Sequence, residues 1–147
     1  MTALFEHSPW VEERADARPS SGDRLADLIA VLHEASPEEQ LALIRAHPEL
    51  AGKAAIDKTL TEASAAEQAS AGLDRLTPEE FARFHALNAA YRERFGFPFI
   101  ICVRLTDKAG ILAAMERRLA NGRDEEVAAA LEQIGEIVRL RLEDQAA

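Results

Sequence analysis

The sequence predicts an all-α fold: a single compact, bundle-like domain of about seven to eight helices spanning residues 1–147. Three observations carry this expectation. Alanine occurs 29 times, whereas Val, Ile and Thr together occur 18 times, so helix formers far outnumber β-branched residues. Apolar residues recur at helical spacing along most of the chain. Helix-start signatures recur with them, at Ser36-Pro37-Glu38-Glu39 and Thr77-Pro78-Glu79-Glu80. At 147 residues and 48% hydrophobic, the chain is long enough to bury a core without disulfides or a structural metal.

Each element follows from local chemistry. Arg18–Gly22 is a short turn-rich break. Leu25, Leu28, Ile29 and Leu32 fall at i, i+3, i+4 and i+7, which predicts an amphipathic helix over 24–35. Ser36 caps the next helix, Pro37 takes its first position and Glu39 completes a capping box. That helix ends near Ala46, because His47 precedes Pro48 and is pushed out of the α region. Residues 49–55 allow one helical turn, weakened by Gly52. Ser64-Ala65-Ala66-Glu67 reads as a further capping box, opening a short helix that Gly72 closes. Thr77 opens a longer helix carrying Phe81, Phe84, Leu87, Asn88 and Tyr91, broken by Gly96 and Pro98. Phe97–Val103 (FPFIICV) is the only strand-like run. It is continuously apolar, so a buried strand and a buried extended loop both stand. Two more helices follow, near 107–120 and 124–143, separated by Asn121-Gly122.

Composition excludes several functions. Lys and Arg number 17 against 26 Asp and Glu, a net charge of −9. This balance argues against nucleic acid or an anionic membrane surface as a partner. Cys102 is the single cysteine, so neither an internal disulfide nor a cysteine-based zinc site is expected. The N-terminal residues carry acids early and lack a signal-peptide core. No run reaches the length of a membrane span. Asp144-Gln145-Ala146-Ala147 lacks the peroxisomal tripeptide, and a cytoplasmic location is expected.

Three positions break the local pattern. Arg141 lies on the same helix face as Val127, Leu131, Ile134 and Val138, whereas Arg139 points away. Either the stripe has run past the core edge and Arg141 snorkels out, or its guanidinium is aimed into an interior cleft, where it would grip a carboxylate. Glu67 and Gln68 are either part of a structural cap or face a ligand at a helix N-terminus. His47, just past a helix end and fixed by Pro48, is either a surface residue near the helix dipole or a general acid or base. The other histidines show no shared ligand spacing, and no metal site is expected. Cys102 sits in an apolar run and reads as a buried small hydrophobe.

Five segments in order also resemble one family. They are Leu4-Phe5-Glu6-His7-Ser8-Pro9-Trp10-Val11; Ala46-His47-Pro48-Glu49-Leu50-Ala51-Gly52-Lys53; Ser64-Ala65-Ala66-Glu67-Gln68-Ala69-Ser70-Ala71-Gly72-Leu73; Asn88-Ala89-Ala90-Tyr91 leading to Phe95-Gly96-Phe97-Pro98-Phe99-Ile100; and Arg139-Leu140-Arg141-Leu142. The chain resembles the OHCU decarboxylases, which decarboxylate 2-oxo-4-hydroxy-4-carboxy-5-ureidoimidazoline in urate breakdown. The resemblance implies an all-α, cofactor-free and metal-free carboxy-lyase, typically a homodimer, whose small-molecule substrate OHCU becomes (S)-allantoin. It implies that His47, Glu67 and Arg141 are catalytic. It places substrate contacts at Pro48, at Ser64, Ala65, Ala66 and Gln68, and at Phe99, Ile100, Ile101, Cys102 and Val103. Two competing readings are a non-enzymatic acidic helical adaptor and a related lyase acting on another ureido acid. The enzyme requires His47, Glu67 and Arg141 around one small cleft, whereas an adaptor leaves them scattered beside a long apolar groove.

Overall fold

A computed structural model describes residues 4–5, 7–50 and 61–146. Among these, seven α-helices and one 3₁₀ turn occur, and no strand. The helices are α1 (Trp10–Asp16), α2 (Arg24–Glu34), α3 (Pro37–Arg45), α4 (Glu62–Ser70), α5 (Pro78–Phe95), α6 (Lys108–Arg118) and α7 (Arg123–Ala146), with the 3₁₀ turn at Val103–Leu105. The all-α expectation therefore holds.

Capping chemistry sets most boundaries. Ser36 and Thr77 each accept from the backbone N–H three residues on, and Glu39 and Glu80 answer with the reciprocal bond. The first of these helices stops at Arg45, next to the His47-Pro48 pair. Gly96 ends α5 in the left-handed region, with φ +79°, and its N–H bonds the Arg92 carbonyl at 2.7 Å.

The structure departs from the expectations in three places. Residues 10–16 form α1, a segment outside the helices expected from the pattern; it buries Val11 and Ala15 and packs on α2. The short helix after residue 60 is capped by Thr61, whose hydroxyl accepts from Ser64 N at 3.2 Å. It therefore starts one turn before the Ser64 cap that the pattern suggests, and Ser64 and Glu67 lie inside the helix. No residue of the Phe97–Val103 run lies in a strand, and Val103 already opens the 3₁₀ turn, so the loop alternative is the one realised. The turn expected within 49–55 falls mostly outside the described residues.

The core forms between α7 and the helices packed around it. α7 packs against α2 and α3, α5 packs against α6, and α4 lies against the 3₁₀ turn. Phe84 and Tyr91 from α5, Phe97 and Phe99 from the extended run, Ile111 and Met115 from α6 and Ile134 from α7 are fully buried. Tyr91 is the hub of the aromatic cluster. Its ring lies 4.6 Å from Phe95 and meets Phe99 edge-on at 5.3 Å. This packing fixes the extended run against the core and leaves its other side to line a cleft.

Candidate active site

The cleft lies where α3 ends, between α4, the extended run and the last turns of α7. It encloses about 490 Å³, part of it open to solvent. Its lining includes His47, Pro48, Ser64, Glu67, Gln68, Phe99, Ile100, Ile101, Cys102, Val103 and Arg141. The expected site residues thus converge, apart from two. Ala65 and Ala66 are exposed and lie outside this lining, because α4 already runs through them and turns them to its outer face. Three residues the pattern does not single out complete the walls: Leu50, Arg104 and Ile137.

His47 is held by its own helix. Its ring Nδ1 lies 3.0 Å from the Leu43 carbonyl oxygen. That oxygen can only accept, so Nδ1 carries the proton and the neutral ring keeps its basic lone pair on Nε2. Pro48 forces the chain out of the helix, and the following two carbonyls are pinned from elsewhere. Asn88 Nδ2 donates to Leu50 O at 2.8 Å, and Gln68 Nε2 donates to Glu49 O at 3.4 Å. Asn88 is buried, which explains a polar residue among the apolar positions of α5.

Arg141 does not snorkel out. It is 8% exposed, and its Nε and Nη2 meet the two oxygens of Glu67 at 2.8 and 2.7 Å. Its Nη1 donates to the Leu4 carbonyl at 3.2 Å, which draws the N-terminal segment against the site. Glu67 therefore works from the second turn of α4 as the partner of a guanidinium 74 residues away, and not as a helix cap. Ser64, Glu67 and Gln68 share one face of α4 at i, i+3 and i+4, and this face closes the cleft.

The apolar wall is held from behind. Arg118 Nη1 donates to Ile100 O at 2.8 Å, and its guanidinium stacks 4.3 Å from the centre of the Phe99 ring. The Cys102 N–H donates to Gln133 Oε1 at 2.9 Å. Burial pushes the Cys102 thiol up, away from the reactive thiolate, so it serves as apolar lining. Arg118 is itself oriented by Glu126, a fully buried carboxylate at 2.8 Å. Tyr91 Oη donates to Glu126 Oε1 at 2.6 Å and Asn121 Nδ2 to Oε2 at 2.9 Å. Burial and this carboxylate push the Tyr91 phenol well above its ordinary range. Sequence patterning misses this network. One signal was readable: Glu126 precedes Ala130 and Ile134 by four and eight residues, on the buried face of α7.

Among the described residues, no group of three His, Cys, Asp or Glu side chains gathers as a metal would need. Nor, among them, is any helix long and apolar enough to cross a membrane.

An all-α domain whose single-file apolar wall faces a buried arginine–carboxylate pair and an oriented imidazole is built as a small-molecule enzyme, with groups for an anion and for a proton on one cleft. Residues 1–143 match the OHCU decarboxylase family, and the chain belongs to it. A 2-oxo-4-hydroxy-4-carboxy-5-ureidoimidazoline decarboxylase of Haloferax volcanii is 45% identical over 145 residues, covering 97% of this chain and 84% of that protein. A solved (S)-allantoin synthase is 31% identical with a TM-score of 0.71; the alignment covers 97% of this chain and 46% of that longer one. A solved OHCU decarboxylase, crystallised in the presence of (S)-allantoin, shares the fold at 20% identity and a TM-score of 0.72, over 94% and 91% of the two chains.

Proposed function

We propose that this protein decarboxylates OHCU to (S)-allantoin, without metal or organic cofactor, as a cytoplasmic homodimer. The observation that carries the catalytic reading is the meeting of His47, Glu67 and Arg141 on one cleft from three separate helical regions. The homodimer and the cytoplasmic location rest on the family resemblance and on composition.

The chemistry suits these residues. OHCU carries a carboxylate and a hydroxyl on one ring carbon, beside a carbon–nitrogen double bond. As the bond to the carboxylate breaks, CO2 leaves and its electron pair moves into the adjacent C=N, so the substrate supplies its own electron sink. The hydroxyl then gives up its proton to become the ring carbonyl, and the neighbouring carbon gains a proton. Overall the anion takes up one proton and yields allantoin and CO2.

His47 takes the hydroxyl proton through Nε2, the ring nitrogen that the Leu43 contact leaves basic. Arg141 faces the carboxylate. Because Glu67 grips its Nε and Nη2, the guanidinium is fixed in orientation before substrate arrives, which spares reorganisation during the reaction. Gln68, Ser64 and the backbone of the 99–103 wall bind the ring and ureido amides. Delivery of the proton to one face fixes the (S) configuration.

The test is a coupled assay. OHCU is generated from urate with uricase and hydroxyisourate hydrolase, the protein is added, and circular dichroism follows the product. Rapid appearance of optically active (S)-allantoin is the expected result. Racemic product at the spontaneous rate would refute the proposal. His47→Ala should lose roughly 10²–10⁴ in rate, the usual share of a positioned acid–base group, with the fold intact. Near-normal turnover in that variant would remove the role given to His47.

A further inference from the structure

The cleft holds a second guanidinium that the mechanism above leaves unused. Arg104 follows the apolar wall directly, in the 3₁₀ turn Val103–Leu105, and lines the same cleft as Arg141. Its surroundings are the reverse of those of Arg141. Its partner is Asp144, met through Nη1–Oδ2 at 2.7 Å and Nη2–Oδ1 at 3.2 Å. The Arg104 side chain is 31% exposed and that of Asp144 is 59% exposed. Asp144 lies three residues beyond Arg141 on α7, so the Arg104–Asp144 pair sits at the rim above the Arg141–Glu67 pair.

Two physical arguments give this rim pair a task. The protein carries a net charge of −9, so an anion approaching the cleft meets repulsion unless a local cation offsets it. Arg141 is largely neutralised by Glu67 at contact distance. Arg104 is also paired, but its pair is wet, and a solvent-exposed ion pair is held only weakly. A carboxylate arriving in the cleft can therefore displace Asp144 at small cost, whereas displacing Glu67 from Arg141 would strand a buried charge. The field of Glu67 reaches Arg104 as well and, after Asp144, helps hold it charged.

Resting on the proposed reaction, we infer that Arg104 is a charge-selecting residue of this site: it exchanges Asp144 for the carboxylate of the incoming substrate, on the side of that group that Arg141 does not face, and returns to Asp144 once that carboxylate has left as CO2. The reaction turns an anion into a neutral ureide. A cation that can be released in this way favours substrate over product and limits product inhibition, which an apolar wall alone does not do. Asp144 is the competitor that keeps Arg104 from holding anions too tightly.

Two measurements test this. In the coupled assay, Arg104→Gln should raise KM about tenfold, leave kcat within about twofold, and leave the inhibition constant of added allantoin unchanged, as befits loss of one charge-assisted contact made only to the anion. Asp144→Asn, which frees Arg104, should lower KM. An unchanged KM in Arg104→Gln, or equal weakening of OHCU and allantoin, would overturn the inference. Independently of turnover, calorimetry compares hydantoin-5-acetate with its neutral amide. The acid should bind the wild-type protein about tenfold more tightly than Arg104→Gln, whereas the amide should not distinguish the two. If both probes bind the two proteins equally, Arg104 has no such role, even where wild type turns over OHCU. If the acid discriminates while wild type leaves OHCU at its spontaneous rate, the charge selection stands and the proposed reaction falls.

Discussion

Two arginine–carboxylate pairs lie on opposite sides of the same apolar wall. Arg118–Glu126 is behind it, with side chains 8% and 0% exposed; Arg141–Glu67 is in front, at 10% and 14%. Their chemistry is alike, but their surroundings differ. Glu126 receives Arg118, Tyr91 and Asn121, so both of its oxygens are bonded within the core. Arg118 spends a further bond on the Ile100 carbonyl and lays its face on Phe99. This pair joins α5, α6, α7 and the wall, and no part of it lines the cleft. Glu67 and Arg141 both line the cleft. A buried ion pair is expensive to desolvate, and hydrophobic residues often do its structural work as well. The core pair is therefore understood as the device that fixes an extended, strand-less run of backbone, and the cleft pair as a preset charge arrangement.

The largest expected effect comes from breaking the core pair. Glu126→Gln leaves Arg118 buried without its counter-charge and should cost about 3–5 kcal/mol, near 10 °C in Tm for a domain of this size. Below its new transition, the activity per folded molecule should stay within a few-fold of wild type. A fully folded but inactive Glu126→Gln would merge the two roles and break the comparison.

The cleft pair should behave in the opposite way. Arg141→Lys keeps a positive charge but loses the planar fork, and should lower kcat/KM about a hundredfold or more, at least 2.7 kcal/mol in transition-state terms, while shifting Tm little. Thermal melts beside the coupled assay decide this. Unchanged kinetics would remove the guanidinium from the reaction.

A third pair sharpens the contrast by exposure alone. Arg14 reaches Glu39 with two bonds, at 3.1 and 2.6 Å, but both side chains are 38% exposed. The Arg14 hydrogen bond, followed by the Ser36 backbone N–H, holds the Glu39 carboxyl down at about 2. A carboxylate lowered on folding adds stability above its unfolded range, near 4.5, and loses it as pH falls towards 2. Glu39→Gln keeps the capping geometry, so its small loss in Tm at neutral pH should shrink steadily as melts are taken from pH 5 down to pH 2. A loss that stays constant over that range would place the contribution in the cap and not in the ion pair.

Much of this molecule was legible in its residues. Ser36, Thr77 and the His47-Pro48 junction mark boundaries because capping and proline sterics act over three or four residues, within reach of any reader of the chain. Arg141 was legible as an anomaly, since helical periodicity alone puts it on the buried face with Ile134 and Val138. Other features required the tertiary structure. Ser64-x-x-Glu67 has the form of a cap, but Thr61 offers a competing one. Glu67 is drawn to Arg141, and a capping pattern cannot tell which partner wins.

By itself, then, the sequence determined the helical class, most helix ends and the anomalous positions of His47 and Arg141, because propensity, capping and amphipathic period are local. Only the tertiary structure decided that Glu67 pairs with Arg141, that Glu126 is buried with Arg118, that Phe97–Val103 stays an unpaired loop, and that Arg104 reaches the cleft. Each of these depends on contacts between residues far apart in the chain, where burial sets the strength of a charge and no local pattern records which partner will be near.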